Sequence, residues 1–160
     1  MTTKSESLLS AWSAFFVAHA LAVQKIEKSL LAHAPLSLYE YDVLLTIDRS
    51  PEKKLRYSEL ASRSLFTKSG ITRIMKRLEE RGFIDRRKCE SDGRGVFAEL
   101  NKSGGKALKD TWTIYSKGIL EIFDPALTQA EAKALESILG KIIDEVNGSA
   151  LVNIGSKTSS

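Results

Sequence analysis

Residues 57–100 hold two helical patterns in quick succession, a glycine stop, and two short alternating segments around a tight turn. Few folds accommodate that order. Ser58 can cap the first helix, with Leu60, Ala61 and Leu65 facing inward. After a break of two or three residues, Thr67 can cap the second. There Ile71, Ile74 or Met75, and Leu78 recur at helical spacing toward a core. Gly82 stands where a helix end favours a left-handed residue. Residues 84–88 read as a weak strand and residues 90–95 as a turn. Val96, Ala98 and Leu100 then alternate with Phe97 and Glu99, as in a half-buried strand. A helix-turn-helix followed by a β-ribbon predicts a winged helix.

Helices flank this unit. Residues 7–33 place Leu8, Trp12, Phe15, Phe16, Ala22, Val23, Ile26 and Leu30 at helical spacing, up to Pro35. Ser37 with Glu40 three residues on forms a capping box for a second helix, closed by Ser50-Pro51. Residues 52–56 read as a charged loop. A long helix over 102–123 carries Leu108, Trp112, Tyr115, Ile119 and Ile122 on one face. After Pro125, Thr128 and Glu131 open a final helix striped by Leu135, Ile138, Leu139, Ile142, Ile143 and Val146. The expected class is mainly α: six helices, a two-stranded β-wing and long terminal helices. The Ser/Thr/Gly-rich residues 149–160 are expected to be a flexible tail.

The charge of +4 over 160 residues is concentrated. Residues 67–94 hold nine Lys/Arg against five acids, an excess equal to that of the whole chain. A basic segment of this kind suits a polyanion or remains a solvated surface. The second helix of the pair turns Ser69, Thr72, Arg73 and Lys76 to the side opposite its core face, beginning beside Lys68. Gly70 adds no side chain, so the backbone can approach a duplex closely. In a major groove, the N-terminal residues of such a helix meet base edges. Arginine can bond guanine through two hydrogen bonds, and hydroxyls and lysine reach bases or phosphates. In the ribbon, Arg94 between two glycines is unhindered for a minor groove, and Arg86, Arg87 and Lys88 lie where phosphates would pass. Asp92 repels phosphate, so its expected work is to hold the turn or orient Arg94.

The run "DGRGVFAELNKSG" resembles the wing signature of MarR-type regulators: Asp92, Arg94, Val96, Leu100 and Gly104 match it. "TKSGITRIMKRLEERGFIDRR" is similar to that family's recognition helix and its exit into the wing. Asn101 departs from the family's frequent threonine but also caps helices well. The resemblance implies a homodimer on a pseudo-palindromic operator of double-stranded DNA, acting as a repressor released by a small ligand or an oxidant. It implies one domain over 1–148, with dimerisation helices at 1–34 and 102–148 and a DNA-binding winged helix at 36–100. The sequence supports pairing independently, because the terminal helices carry more apolar surface than a small core can cover.

The resemblance also places a ligand cleft between the dimerisation helices and the DNA-binding lobe. Trp12, Phe16, His19, Tyr39, Tyr41 and Trp112 are the candidates for an aromatic or phenolic ligand. Each aromatic is equally a core residue at helical spacing. His19 reads also as a core or interface histidine, and His33 as a partner of its helix end. Cys89 follows Arg87 and Lys88, whose charge can lower a thiol pKa, so a redox-responsive regulator is an alternative. A winged helix used only for protein interaction is another.

Two histidines and one cysteine show no metal-ligand spacing, and the glycines form no phosphate loop, so neither cofactor nor enzyme activity is expected. The longest apolar run, residues 14–23, is too short to span a bilayer, and residues 1–10 show no cleavable signal pattern. A cytoplasmic protein with no membrane partner is expected.

Overall fold

The structure is a computed structural model that describes residues 3–63, 68–88 and 95–147, excluding the side chains of residues 61–63, 68, 69 and 88. The order is α1 (Lys4–His33), α2 (Leu38–Asp48), a single 3-10 turn (Pro51–Lys53), β1 (Lys54–Arg56), α3 (Tyr57–Arg63), α4 (Lys68–Glu80), β2 (Ile84–Lys88), β3 (Val96–Leu100), α5 (Lys102–Phe123) and α6 (Gln129–Asn147). This is a winged helix between long helices. Two compact units divide the chain, residues 1–121 and 122–160.

Local chemistry sets most boundaries. The Ser37 hydroxyl accepts from the Glu40 N–H at 3.3 Å, and the Glu40 carboxylate accepts from the Ser37 N–H at 3.0 Å. Thr128 and Glu131 make the same reciprocal pair ahead of α6. A third box, Thr3 with Glu6, starts α1 three residues earlier than its apolar pattern suggests. Ser58, expected as a cap, is instead the second residue of α3. Thr67, Leu65 and the 149–160 tail lie outside the described residues. The end of α4 is a Schellman motif: Phe83 N–H donates to Leu78 C=O at 3.0 Å and Gly82 N–H to Glu79 C=O at 2.9 Å. Gly82 has φ of 71°, a region that costs a Cβ-bearing residue energy.

The sheet corrects one expectation. Residues 54–56 are strand rather than loop, and the order is β1-β3-β2, with both pairs antiparallel. β3 is central, and the third strand pairs along the edge that a two-stranded ribbon would leave open. Leu55, Ile84, Ala98 and Leu100 are buried on one face. They meet Leu44 and Ile47 of α2, Leu60 of α3, Ile71, Met75 and Leu78 of α4, and Ala107 and Leu108 of α5 in one core.

Two features depart from a relaxed, self-contained fold. Glu52 and Lys53 both have positive φ, 58° and 54°, as in a type I′ turn, where Asn-Gly is favoured. Exchanging them for Asn and Gly is expected to raise the unfolding free energy by about 1–2 kcal/mol, read from the denaturant midpoint. The exposed Lys53–Asp48 ion pair at 2.8 Å offsets little of that gain. An unchanged or lower midpoint would show that the turn carries no strain. The second feature is α1. Its buried residues are Ile26 and Leu30, whereas Leu8, Leu9, Trp12, Phe16 and Leu21 are exposed. By length and composition alone it is apolar enough to cross a membrane, which the 14–23 run by itself did not indicate.

Candidate nucleic-acid interface

α4 spans thirteen residues, or about 20 Å. Ile71, Met75 and Leu78 lie at i, i+4 and i+7 and are buried, which fixes the rotation of the helix. Thr72, Arg73 and Lys76 are therefore turned outward and exposed. Lys76 lies 3.7 Å from Glu80 in an exposed i,i+4 pair, a contact too weak to hold it away from a stronger anion. Gly70, in the first turn, is half-buried. Lys68 and Ser69 belong to the same turn, and their side chains lie outside the description.

The Gly82-Phe83 turn carries α4 directly into β2, so the hairpin starts at the end of the helix. Side chains alternate along a strand, and this separates the basic residues that the sequence groups together. Arg86 stands opposite Ala98, on the face that meets the helices, and its guanidinium lies 5.9 Å from the Tyr57 ring of α3. Arg87 stands opposite Phe97 on the other face and pairs with Glu99 at 3.2 Å. One of the two thus shares the helices' side of the sheet. Lys88 stands opposite Val96 in the register. Cys89, Asp92 and Arg94 lie outside the described residues.

The outer sheet face holds a cluster the sequence reading missed. Lys54 Nζ lies 4.8 Å and the Arg56 guanidinium 5.1 Å from the Phe97 ring. The signal is a Lys-x-Arg alternation within the supposed loop.

Two further cations of the basic segment are used internally. Arg77 lies 3.6 Å and Arg81 3.1 Å from the buried carboxylate of Glu40. Arg81 also donates to the Pro35 carbonyl and lies 4.8 Å from the Phe83 ring.

Ordering of α5 depends on the same region. Asn101 Oδ1 accepts from Gly104 N–H at 3.0 Å, and its Nδ2 donates to Gly82 C=O at 3.0 Å. One side chain caps α5 and ties it to the end of α4.

Residues 36–96 match the profile of the MarR family. Over 91% of this chain and 89% of the other, the fold aligns with Sco3205, a MarR family transcriptional regulator from Streptomyces coelicolor crystallised in complex with DNA, at a TM-score of 0.77 and 28% identity. Residues 36–96 thus form a MarR-type domain, and the fold is the one seen in MarR family regulators. AbsC, another MarR regulator of that organism, aligns over 92% of this chain and 98% of its own at 0.75 and 25% identity. In sequence the chain is similar to the transcriptional repressor MprA of Escherichia coli, with 26% identity over 104 residues. The match takes in 65% of this chain and about 58% of MprA's length. An HTH-type transcriptional regulator of Bacillus cereus is 28% identical over 74% of this chain and 77% of its own.

The ligand candidates fall in different places. Tyr41 is buried, stacked on Trp112 at 6.4 Å and edge-on to Tyr115 at 5.3 Å. Burial pushes the Tyr41 and Tyr115 hydroxyls up from the usual phenol value. It also raises the neighbouring Asp42 carboxyl, against the opposing charge of Arg49. The Thr111 hydroxyl is fully buried and has no hydrogen-bond partner among the described residues. Trp12 and Phe16 lie on the exposed part of α1. His19, in ring contact with Phe15, is exposed too, so it is not a core residue of a single copy. Tyr39 is half-exposed. His33 lies in the last turn of α1, beside the helix's negative end.

Proposed function

We propose that the chain is a homodimeric, sequence-specific regulator that binds a pseudo-palindromic site in double-stranded DNA. In this reading α4 enters the major groove and presents Thr72, Arg73 and Lys76, with Lys68, Ser69 and Gly70 at its leading end. The β2–β3 hairpin follows the backbone, and Arg94 enters the minor groove. The observation that carries the reading is the rotation of α4. Its apolar side is locked into the core while a hydroxyl and two cations face solvent, one turn ahead of a basic hairpin. The DNA-bound state of Sco3205 and the repressor function in MprA's name support the direction of action.

Pairing of two copies follows from α1, whose exposed apolar surface is too large for a chain that stays alone in water. A two-fold axis would set two copies of α4 about 34–36 Å apart, one turn of duplex. Shielding in a dimer also accounts for α1's apolar composition without a membrane, consistent with a cytoplasmic regulator. The Tyr41, Trp112 and Tyr115 group supplies flat, polarisable walls for a small aromatic or phenolic effector that releases the DNA.

Binding measured across salt concentrations tests the proposal. A dimer that neutralises six to ten phosphates is expected to lose roughly three to five orders of magnitude in affinity between about 50 and 200 mM salt. A flat salt profile would reject DNA as the partner and favour a protein-interaction module.

A further inference from the structure

Among the described residues, Glu40 is the one charged side chain that is buried, at 3% exposure. As the third residue of α2 it completes the capping box, a task that glutamine performs as well. The negative charge does something further. Oε2 accepts from the Ser37 N–H at 3.0 Å and from Arg81 at 3.1 Å, and Oε1 faces Arg77 at 3.6 Å. Arg77 lies in the last turn of α4 and Arg81 immediately follows that helix, one helical turn on. Arg81 is held from other sides by the Pro35 carbonyl and the Phe83 ring. The same end of α2 is tied to α1, because Leu38 N–H donates to Glu27 Oε2 at 2.7 Å. The start of α2 thus joins the long first helix to the end of α4 through two carboxylates.

We propose that Glu40 is a positioning residue for DNA reading: through Arg77 and Arg81 it fixes the angle at which α4 presents Arg73. The carboxylate itself is buried and touches no DNA. This inference rests on the DNA-binding reading for its functional arm, but not for its structural one.

Glu40→Gln separates capping from positioning, since it keeps the box and removes the charge. It also makes the protein more basic, which by itself strengthens sequence-blind attraction to DNA. A loss of operator affinity would therefore oppose the charge effect. The expected result is a roughly tenfold drop in the ratio of operator to random-duplex affinity. Faster hydrogen exchange at the amides of residues 74–81 should accompany it, with little change in Tm. Adding Arg81→Gln should lower the ratio little further, because the two changes break one contact. An unchanged ratio together with unchanged α4 exchange, even with a lowered Tm, would reduce Glu40 to a helix cap and overturn the proposal. Should Glu40→Gln fail to fold, Arg77→Gln with Arg81→Gln carries the same readouts from the solvent side. A wild-type protein with no operator preference would count against DNA binding, while the exchange comparison still decides the positioning role.

Discussion

Gly104→Ala is expected to destabilise the protein by about 3 kcal/mol, lowering Tm by roughly 10 °C. A Cβ at this position would lie 2.2 Å from the Phe83 carbonyl oxygen and 2.6 Å from Leu100 Cδ1. Leu100 can adjust its side chain. Phe83 cannot retreat as easily, because its N–H closes the Schellman turn on Leu78 and its carbonyl accepts from Asn101 N–H at 3.5 Å. The first turn of α5 runs directly over the end of α4, and only a hydrogen fits between them. Gly105 provides the control, since a Cβ there meets nothing within 4 Å. Gly105→Ala should hold or raise Tm, as alanine favours helix by up to about 1 kcal/mol. Equal effects of the two substitutions in thermal unfolding would refute the steric account.

Arg73→Ala should cost roughly 1–3 kcal/mol in operator binding, and it should relax preference at one base position rather than weaken all sequences alike. Arg73 is exposed on α4, flanked by Thr72, while Ile71 and Met75 hold the backbone in place. A guanidinium so placed can make two hydrogen bonds to one guanine. A uniform loss over all duplexes, with the base preferences intact, would assign Arg73 to phosphate contact alone. Folding should be unaffected, which far-ultraviolet circular dichroism checks.

The features legible in the sequence were local. Ser37 with Glu40, Thr128 with Glu131, Gly82 and the Ile71, Met75 and Leu78 stripe each encode their own structure within one or two helical turns. Those that escaped depend on partners far along the chain. β1 is three residues long, too short to show a period, and it is strand because β3 leaves an edge for it to pair with. Arg77 and Arg81 count as surface cations until Glu40, 41 residues before Arg81, is seen between them. The division of Arg86 from Arg87 was available from strand alternation but was hidden by reading them as one basic run. α1 misled in another way. Its 14–23 run is short, yet the helix is apolar over most of its exposed length, and no charge pattern marks which side a second copy would cover.

In the proposed complex, α4 and the hairpin behind it form one surface for reading double-stranded DNA, duplicated by two-fold pairing. Selection of bound fragments from random duplexes by the purified protein tests it most directly. The expected result is an inverted repeat whose half-sites are centred about 10–10.5 base pairs apart, or a multiple of that spacing. Recovery of sequences with no shared motif, or of a single half-site with no symmetric partner, would contradict it.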